Sequence, residues 1–241
     1  MLEEKTSPKK SSAATPLIME GQSIYYSLIS SLWYPLQGPG ILSLVLLGVF
    51  FYFSMWIPIM GWLMGLGVLG YAFSFFYTII SHTAGGMNQP PQLPEYSDPF
   101  EDAIKPLILT LGTFLFYFAP FYYVNFTSPQ ITVLHYITLG IGLFFLPMAM
   151  LAIAIYRTFA ALNPILQIQA ISAILPQYLG ILAFLFFAVF AIILASPLLT
   201  PILMIPVVNI LVIMAYPFYI LAVLSRILGL IYYYYKDKLP F

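Results

Sequence analysis

ILSLVLLGVFFYFSMWIPIMGWLMGLGVLGYAFSFFYTIISHT, residues 41–83, decides the fold of this chain. It contains no Asp, Glu, Lys or Arg. About 20 apolar residues suffice for a helix to cross the hydrocarbon core of a bilayer, so the run is too long for one crossing and long enough for two. Pro58-Ile59-Met60 offers the reversal, because a proline cannot continue a helix from the preceding turn. The reading is a helical hairpin with spans at about 41–57 and 61–83. Gly61, Gly65, Gly67 and Gly70 fall along the second span, and small residues at such spacings let helices approach closely in lipid.

Composition points the same way. The 241 residues are 62% hydrophobic and 7% charged, with a mean hydropathy of +0.97, far from the average of soluble domains. Eight Lys and Arg balance eight Asp and Glu, so the chain lacks the basic field that nucleic-acid binding needs. Nucleic acid is therefore not an expected partner. With no cysteine, disulfides, thiolate metal sites and cysteine nucleophiles are excluded. The first apolar run follows a long polar arm, which is not the arrangement of a cleavable signal peptide.

Outward from the hairpin, residues 1–24 read as a flexible cytoplasmic arm carrying Lys5, Lys9 and Lys10. Tyr25–Gln37, with Trp33 and Tyr34, is expected to lie at the headgroup level as a short interfacial helix. Residues 84–105 form the one substantial polar loop. Its Asp98-Pro99-Phe100-Glu101 segment predicts a helix start, with Asp98 as N-cap, Pro99 at the first helical position and Glu101 completing a capping box. Pro106 is expected to kink that helix or restart it as the third span, about 106–124. Further spans follow at about 131–156, 176–196 and 202–225, with Thr158–Leu175 along the interface. The predicted fold class is all-α, a polytopic transmembrane helical bundle of six spans within residues 25–238, with cytoplasmic interfacial helices.

This threading puts every basic residue on one face. Lys5, Lys9 and Lys10 precede the first span, Lys105 lies between the second and third, and Arg157 between the fourth and fifth. Arg226, Lys236 and Lys238 follow the sixth. The turns around Met60, Thr127 and Leu199 carry none. Positive residues concentrate on the cytoplasmic side, so both termini are expected there, in the inner membrane of a cell.

Chemistry-bearing motifs are sparse. No ionisable residue falls mid-span, whereas ion-coupled transport relies on such groups. His82 and His135 are placed at opposite ends of the bundle and are expected to be structural. No nucleophile elbow, P-loop or dinucleotide turn is present. Glu95, Asp98, Glu101 and Asp102 cluster within eight positions and could hold a divalent cation with lipid phosphate; the plainer reading is a solvated helix cap. No cofactor or metal is expected. Asn209 in the sixth span, and Asn163, Gln167 and Gln169 before the fifth, are amides that need partners across helices. Glu95, Tyr96, Asp98, Glu101, Asp102, Asn163, Asn209, Arg157 and Arg226 are the candidate contacts for lipid or a partner.

The loop Pro91-Gln92-Leu93-Pro94-Glu95-Tyr96-Ser97-Asp98, followed by Glu101-Asp102-Ala103-Ile104-Lys105, resembles the signature loop of an uncharacterised family of prokaryotic six-span membrane proteins. In that family a Leu-Pro-Glu-aromatic element lies between the second and third spans. Ala161-Leu162-Asn163-Pro164 and Ser225-Arg226-Ile227-Leu228-Gly229 are similar to its downstream segments, and Ala103 stands where Gly is commoner. There is a looser similarity to Yip-type membrane proteins. Neither resemblance implies a reaction. The expected function is a non-catalytic membrane subunit or scaffold that meets membrane lipids and other membrane protein subunits laterally and through its cytoplasmic loop. A carrier or flippase-type component for lipids or apolar molecules, using proline-kinked spans and a cavity lined by Asn209, is the alternative. A third possibility is an intramembrane lipid-modifying enzyme.

Overall fold

The computed structural model describes residues 23–58, 60–128, 130–203 and 206–241, with side chains except at 189, 191–193, 195–203, 206–211 and 213. The arm at 1–22 and the side chain of Asn209 thus lie outside the described residues. The chain is all-α: α1 (Ile24–Ser30), α2 (Pro39–Met55), α3 (Met60–Ala84), α4 (Lys105–Thr127), α5 (Val133–Tyr156), α6 (Pro164–Ala173), α7 (Leu175–Leu203) and α8 (Pro206–Tyr235).

Among the described residues four helical stretches are long and apolar enough to cross a membrane: Met60–Ala84, Phe100–Thr127, Val133–Tyr156 and Met214–Tyr235. A fifth results if Pro164–Ala173 and Leu175–Ala188, bent by 95°, are taken as one span. The bend follows from Pro176, whose missing N–H removes the bond that would carry α6 onward. At 17 residues, α2 is about 25 Å long at 1.5 Å per residue, short of the hydrocarbon thickness of about 30 Å. Large apolar side chains stand far out of the bundle, with Phe126 92%, Ile131 76% and Trp62 75% exposed. Such surface is a liability in water and is at home in lipid, as expected of a membrane-embedded protein.

The α2–α3 hairpin forms as the sequence predicts. Gly61 and Gly65 pack on Ser54, and a Cβ on Gly70 would collide with the Ala103 carbonyl, whereas Gly67 meets nothing within 4 Å. Three of the four glycines therefore serve packing. Helix α8 lies beside α3 and runs in the same sense: Phe76 stacks on Phe218 at 6.4 Å, and a Cβ on Gly229 would come within 2.5 Å of Thr83 Cβ. Helices α4 and α5 are antiparallel, since Phe118 abuts Gly142 while Tyr117 stacks on Phe145 and Phe121 meets His135.

The segments between these helices fold back over the bundle. Residues 23–36 run up α8, with the Ser27 and Tyr234 hydroxyls 3.0 Å apart and the Tyr219 hydroxyl donating to the Leu32 carbonyl at 2.7 Å. The expected interfacial helix is only a short α1 followed by a 3₁₀ turn at Tyr34–Leu36. The loop after α3 turns back as well. Arg226 holds the Met87 carbonyl, Tyr34 the Gln89 carbonyl and Tyr71 the Pro94 carbonyl. From Ala84 to Tyr71 that return is about 20 Å along α3. Helix α4 consequently begins beside Gly70, and its contacts with α3 advance in one sense, Gly70 with Ala103 and Tyr77 with Thr110. Two neighbouring spans joined by a surface loop would pair in opposite senses.

The start of α4 explains its acidic residues. Asp98 caps as predicted, its Oδ1 accepting from Phe100 N–H at 2.8 Å. The reach-back is made by Asp102 and not by Glu101: Asp102 Oδ2 accepts from the N–H groups of Ser97 at 2.8 Å and Asp98 at 2.9 Å. Phe100–Ile104 is a π turn, and its extra residue per turn brings the next carboxylate round to the cap. After the π turn the α-helix restarts at Lys105, with Pro106 in its first turn, where a missing N–H costs nothing, as the sequence predicts.

Candidate functional site

Prolines inside apolar helices free carbonyls and bend the axis, and α5 carries one at Pro147. Beside it the helices part to leave a cavity of about 300 Å³ between α3, α4, α5, α7 and α8. Of its lining, Phe76, Tyr77, Ile80, Ser225 and Leu228 are buried, whereas Phe73, Phe114, Leu146, Leu185 and Leu221 are partly or well exposed. The cavity is thus only partly enclosed. Its walls are almost wholly apolar. The one hydroxyl that α3 contributes, on Tyr77, is already engaged with Thr110 Oγ1 at 2.6 Å.

Two arginines stand close to residues that line or flank the cavity. Arg226 is 3% exposed, inside α8 and not after the last span as the sequence reading has it. Its guanidinium carbon lies 4.0 Å from the Tyr34 ring centroid, and it donates to the Met87 carbonyl and Asn88 Oδ1, both at 3.2 Å. Burial raises the Tyr34 hydroxyl above the usual tyrosine range, although the Arg226 cation pulls the other way. Tyr34 therefore stays a neutral donor to Gln89. Arg157, at the end of α5, is half-buried with its guanidinium carbon 5.0 Å from the centroid of the Tyr77 ring. Among the described residues the one ion pair joins Lys105 and Glu101 at 2.7 Å, so neither arginine has a carboxylate at salt-bridge distance. Cation–π contacts of this kind contribute about 0.5–2 kcal/mol, more as water is excluded.

The other sequence candidates are scattered. Glu95 and Tyr96 are exposed, with the Tyr96 ring 5.8 Å from that of Tyr71. Asp98 and Asp102 form the cap, and Glu101 pairs with Lys105. Among the described residues no three His, Asp or Glu side chains come together as metal ligands would. Asn163 Oδ1 caps α6 by accepting from Ile165 N–H at 3.0 Å, and Gln167 Nε2 donates to the Ala161 carbonyl at 2.7 Å. His135 Nδ1 accepts from Thr132 N–H at 3.1 Å and completes a capping box for α5, a structural role. Sequence reasoning missed the Tyr77–Thr110 pair. It expected a cavity at proline-kinked spans but lined it with Asn209 and did not single out Pro147, beside which the described cavity lies.

Comparison of the chain with protein-family models, with curated proteins and with solved structures found no match.

Proposed function

We propose that the protein is a carrier-type membrane protein that takes one lipid-like molecule sideways from the bilayer into the cavity beside Pro147. The cavity is the observation that supports this over the scaffold reading. Exposed lining residues such as Phe114 leave it open to the surroundings of the bundle, so an apolar chain can enter it, whereas the scaffold reading assigns it no role. Its volume falls at the small end of ligand pockets, and its walls suit a hydrocarbon. The enzyme reading gains nothing, because the acidic loop's Asp98, Asp102 and Glu101 are occupied in capping and in pairing with Lys105.

For topology we favour six crossings with both termini on the cytoplasmic side of the inner membrane, supported by the lack of Lys and Arg in the turns around Met60, Thr127 and Leu199. The short α2 is accommodated by local thinning of the bilayer. The course of α4 beside α3 is what this topology accommodates least well, so a tag-accessibility assay at the α4–α5 turn is its sharpest test. An α4–α5 turn found on the cytoplasmic side removes the six-crossing arrangement.

Purification in mild detergent followed by native mass spectrometry tests the carrier reading. One co-purifying apolar molecule per chain is expected, and Leu146→Trp, which enlarges a partly exposed lining residue, should displace it at unchanged thermal stability. A ligand-free chain accompanied by a fixed set of protein subunits would return the molecule to the scaffold reading.

A further inference from the structure

Part of the cavity wall is a tyrosine ring with a cation over it. Tyr77 lines the cavity and is 0% exposed, and the Arg157 guanidinium lies over the same ring. Arg157 makes no salt bridge among the described residues, and Glu101, the carboxylate that influences it, already has Oε2 on Lys105. Burial pulls the Arg157 pKa below the usual arginine value, with Tyr77 and Glu101 acting in the opposite direction. The side chain nevertheless stays charged.

The backbone at this position is as unusual as the side chain. Among the described residues Arg157 is the one non-glycine with positive φ, at 54°, and it closes α5 in the left-handed conformation, its N–H donating to the Ile153 carbonyl at 2.7 Å. Helix ends of this form ordinarily take Gly or Asn. A strained backbone carrying a half-buried cation that makes no salt bridge among the described residues, one ring away from an apolar cavity, is the pattern of a binding site more than of a helix cap.

We infer that Arg157 anchors the head of the cavity's ligand and that this ligand is a single-chain amphiphile with an oxyanion head group. The inference rests on the carrier reading and adds the ligand class. Arginine presents a planar fork that matches a carboxylate or phosphate. At about 30 Å³ per water-sized unit, the cavity holds about ten such units, enough for much of one hydrocarbon chain and too little for two. Tyr77 is the partition between chain and head. Its ring leaves Thr110 when the head reaches Arg157.

Equilibrium binding of radiolabelled palmitate, hexadecyl phosphate and hexadecanol to the purified full chain tests this. The wild type is expected to hold at least one of the two anions ten-fold or more tighter than the alcohol, and the tighter of the two identifies the head group. Arg157→Asn, which suits the left-handed backbone and so keeps the fold, should bring the anions down to the alcohol's affinity and leave the alcohol unchanged. A melting temperature equal to the wild type's verifies that the variant is folded. If anions and alcohol bind alike, or if Arg157→Asn weakens none of them, the anchor is wrong and the carrier reading stands. If none of the three binds the wild type, both fall together.

Discussion

The two halves of α3 are both rich in large apolar residues and are used in opposite ways. The N-terminal half is bare, with Met60, Trp62, Leu63, Met64 and Leu66 all exposed. In the C-terminal half Phe75, Phe76, Tyr77, Ile79 and Ile80 are buried, enclosed by α8, the start of α4 and the returning loop. Hydropathy does not separate the two, because lipid tails and protein interiors are equally apolar surroundings. The difference lies in the short-range chemistry of the buried half. Tyr71 and Tyr77 reach polar atoms of the chain segments packed on them, and Gly70 admits a backbone that a larger residue would exclude.

The sharpest way to break this contrast is at Gly70, the point where the enclosed half begins. Gly70→Ala places a methyl group against the Ala103 carbonyl, and with backbone on both sides nothing can give. A loss of about 3 kcal/mol or more is expected, read as a large fall in melting temperature in detergent. Gly67→Ala, one turn away in the open half, should be neutral or stabilise by up to about 1 kcal/mol. Equal effects at the two positions would mean that the halves do not differ in packing. Next in size is Arg226→Met, which fills similar volume but deprives the Met87 carbonyl and Asn88 of their donor. Met87 and Asn88 are themselves exposed, so water can replace the lost donor, and a cost of about 1–2 kcal/mol is expected from the two hydrogen bonds and the Tyr34 ring contact; protease cleavage in the loop after α3 should rise with the loss. Exposed Lys236→Met should change neither.

The smallest expected effect separates two neighbouring carboxylates. Asp102→Ala removes the acceptor of two backbone N–H groups at the start of α4 and should cost about 1 kcal/mol. Glu101→Ala removes only an exposed pair with Lys105, worth about 0.3–0.5 kcal/mol. A larger loss at Glu101 than at Asp102 would restore the capping box that the sequence predicts and remove the π turn's role in shifting it.

Much of the fold was legible before the structure. The α2–α3 hairpin follows from one apolar run and one proline, and Asp98 and Asn163 follow from cap chemistry. The course of the loop after α3 was not legible, and the reason is physical. Pro90, Pro91 and Pro94 have carbonyls but no N–H, so the segment is rich in acceptors and poor in donors. Composition calls it polar and assigns it to the surface. Its position is set by donors far away in sequence, Tyr34, Tyr71 and Arg226, and no local pattern announces them. The place of the cavity was hidden for a related reason. A proline in a span signals a bend, but whether neighbouring helices fill the space is decided by residues on four other elements.

The contacts of the N-terminal segment set an order for assembly. Ser27 meets Tyr234 across 207 positions of sequence, and Leu32 meets Tyr219 across 187, so the docking of residues 23–36 stays incomplete until α8 has been synthesised and inserted. Contacts of such separation close late. A segment synthesised before the helix it docks on is therefore among the last to settle fully into place. A chain stopped before Tyr219 would carry its earlier helices into the membrane with that segment incompletely docked, an exposed handle by which quality-control proteases can tell an unfinished bundle from a finished one.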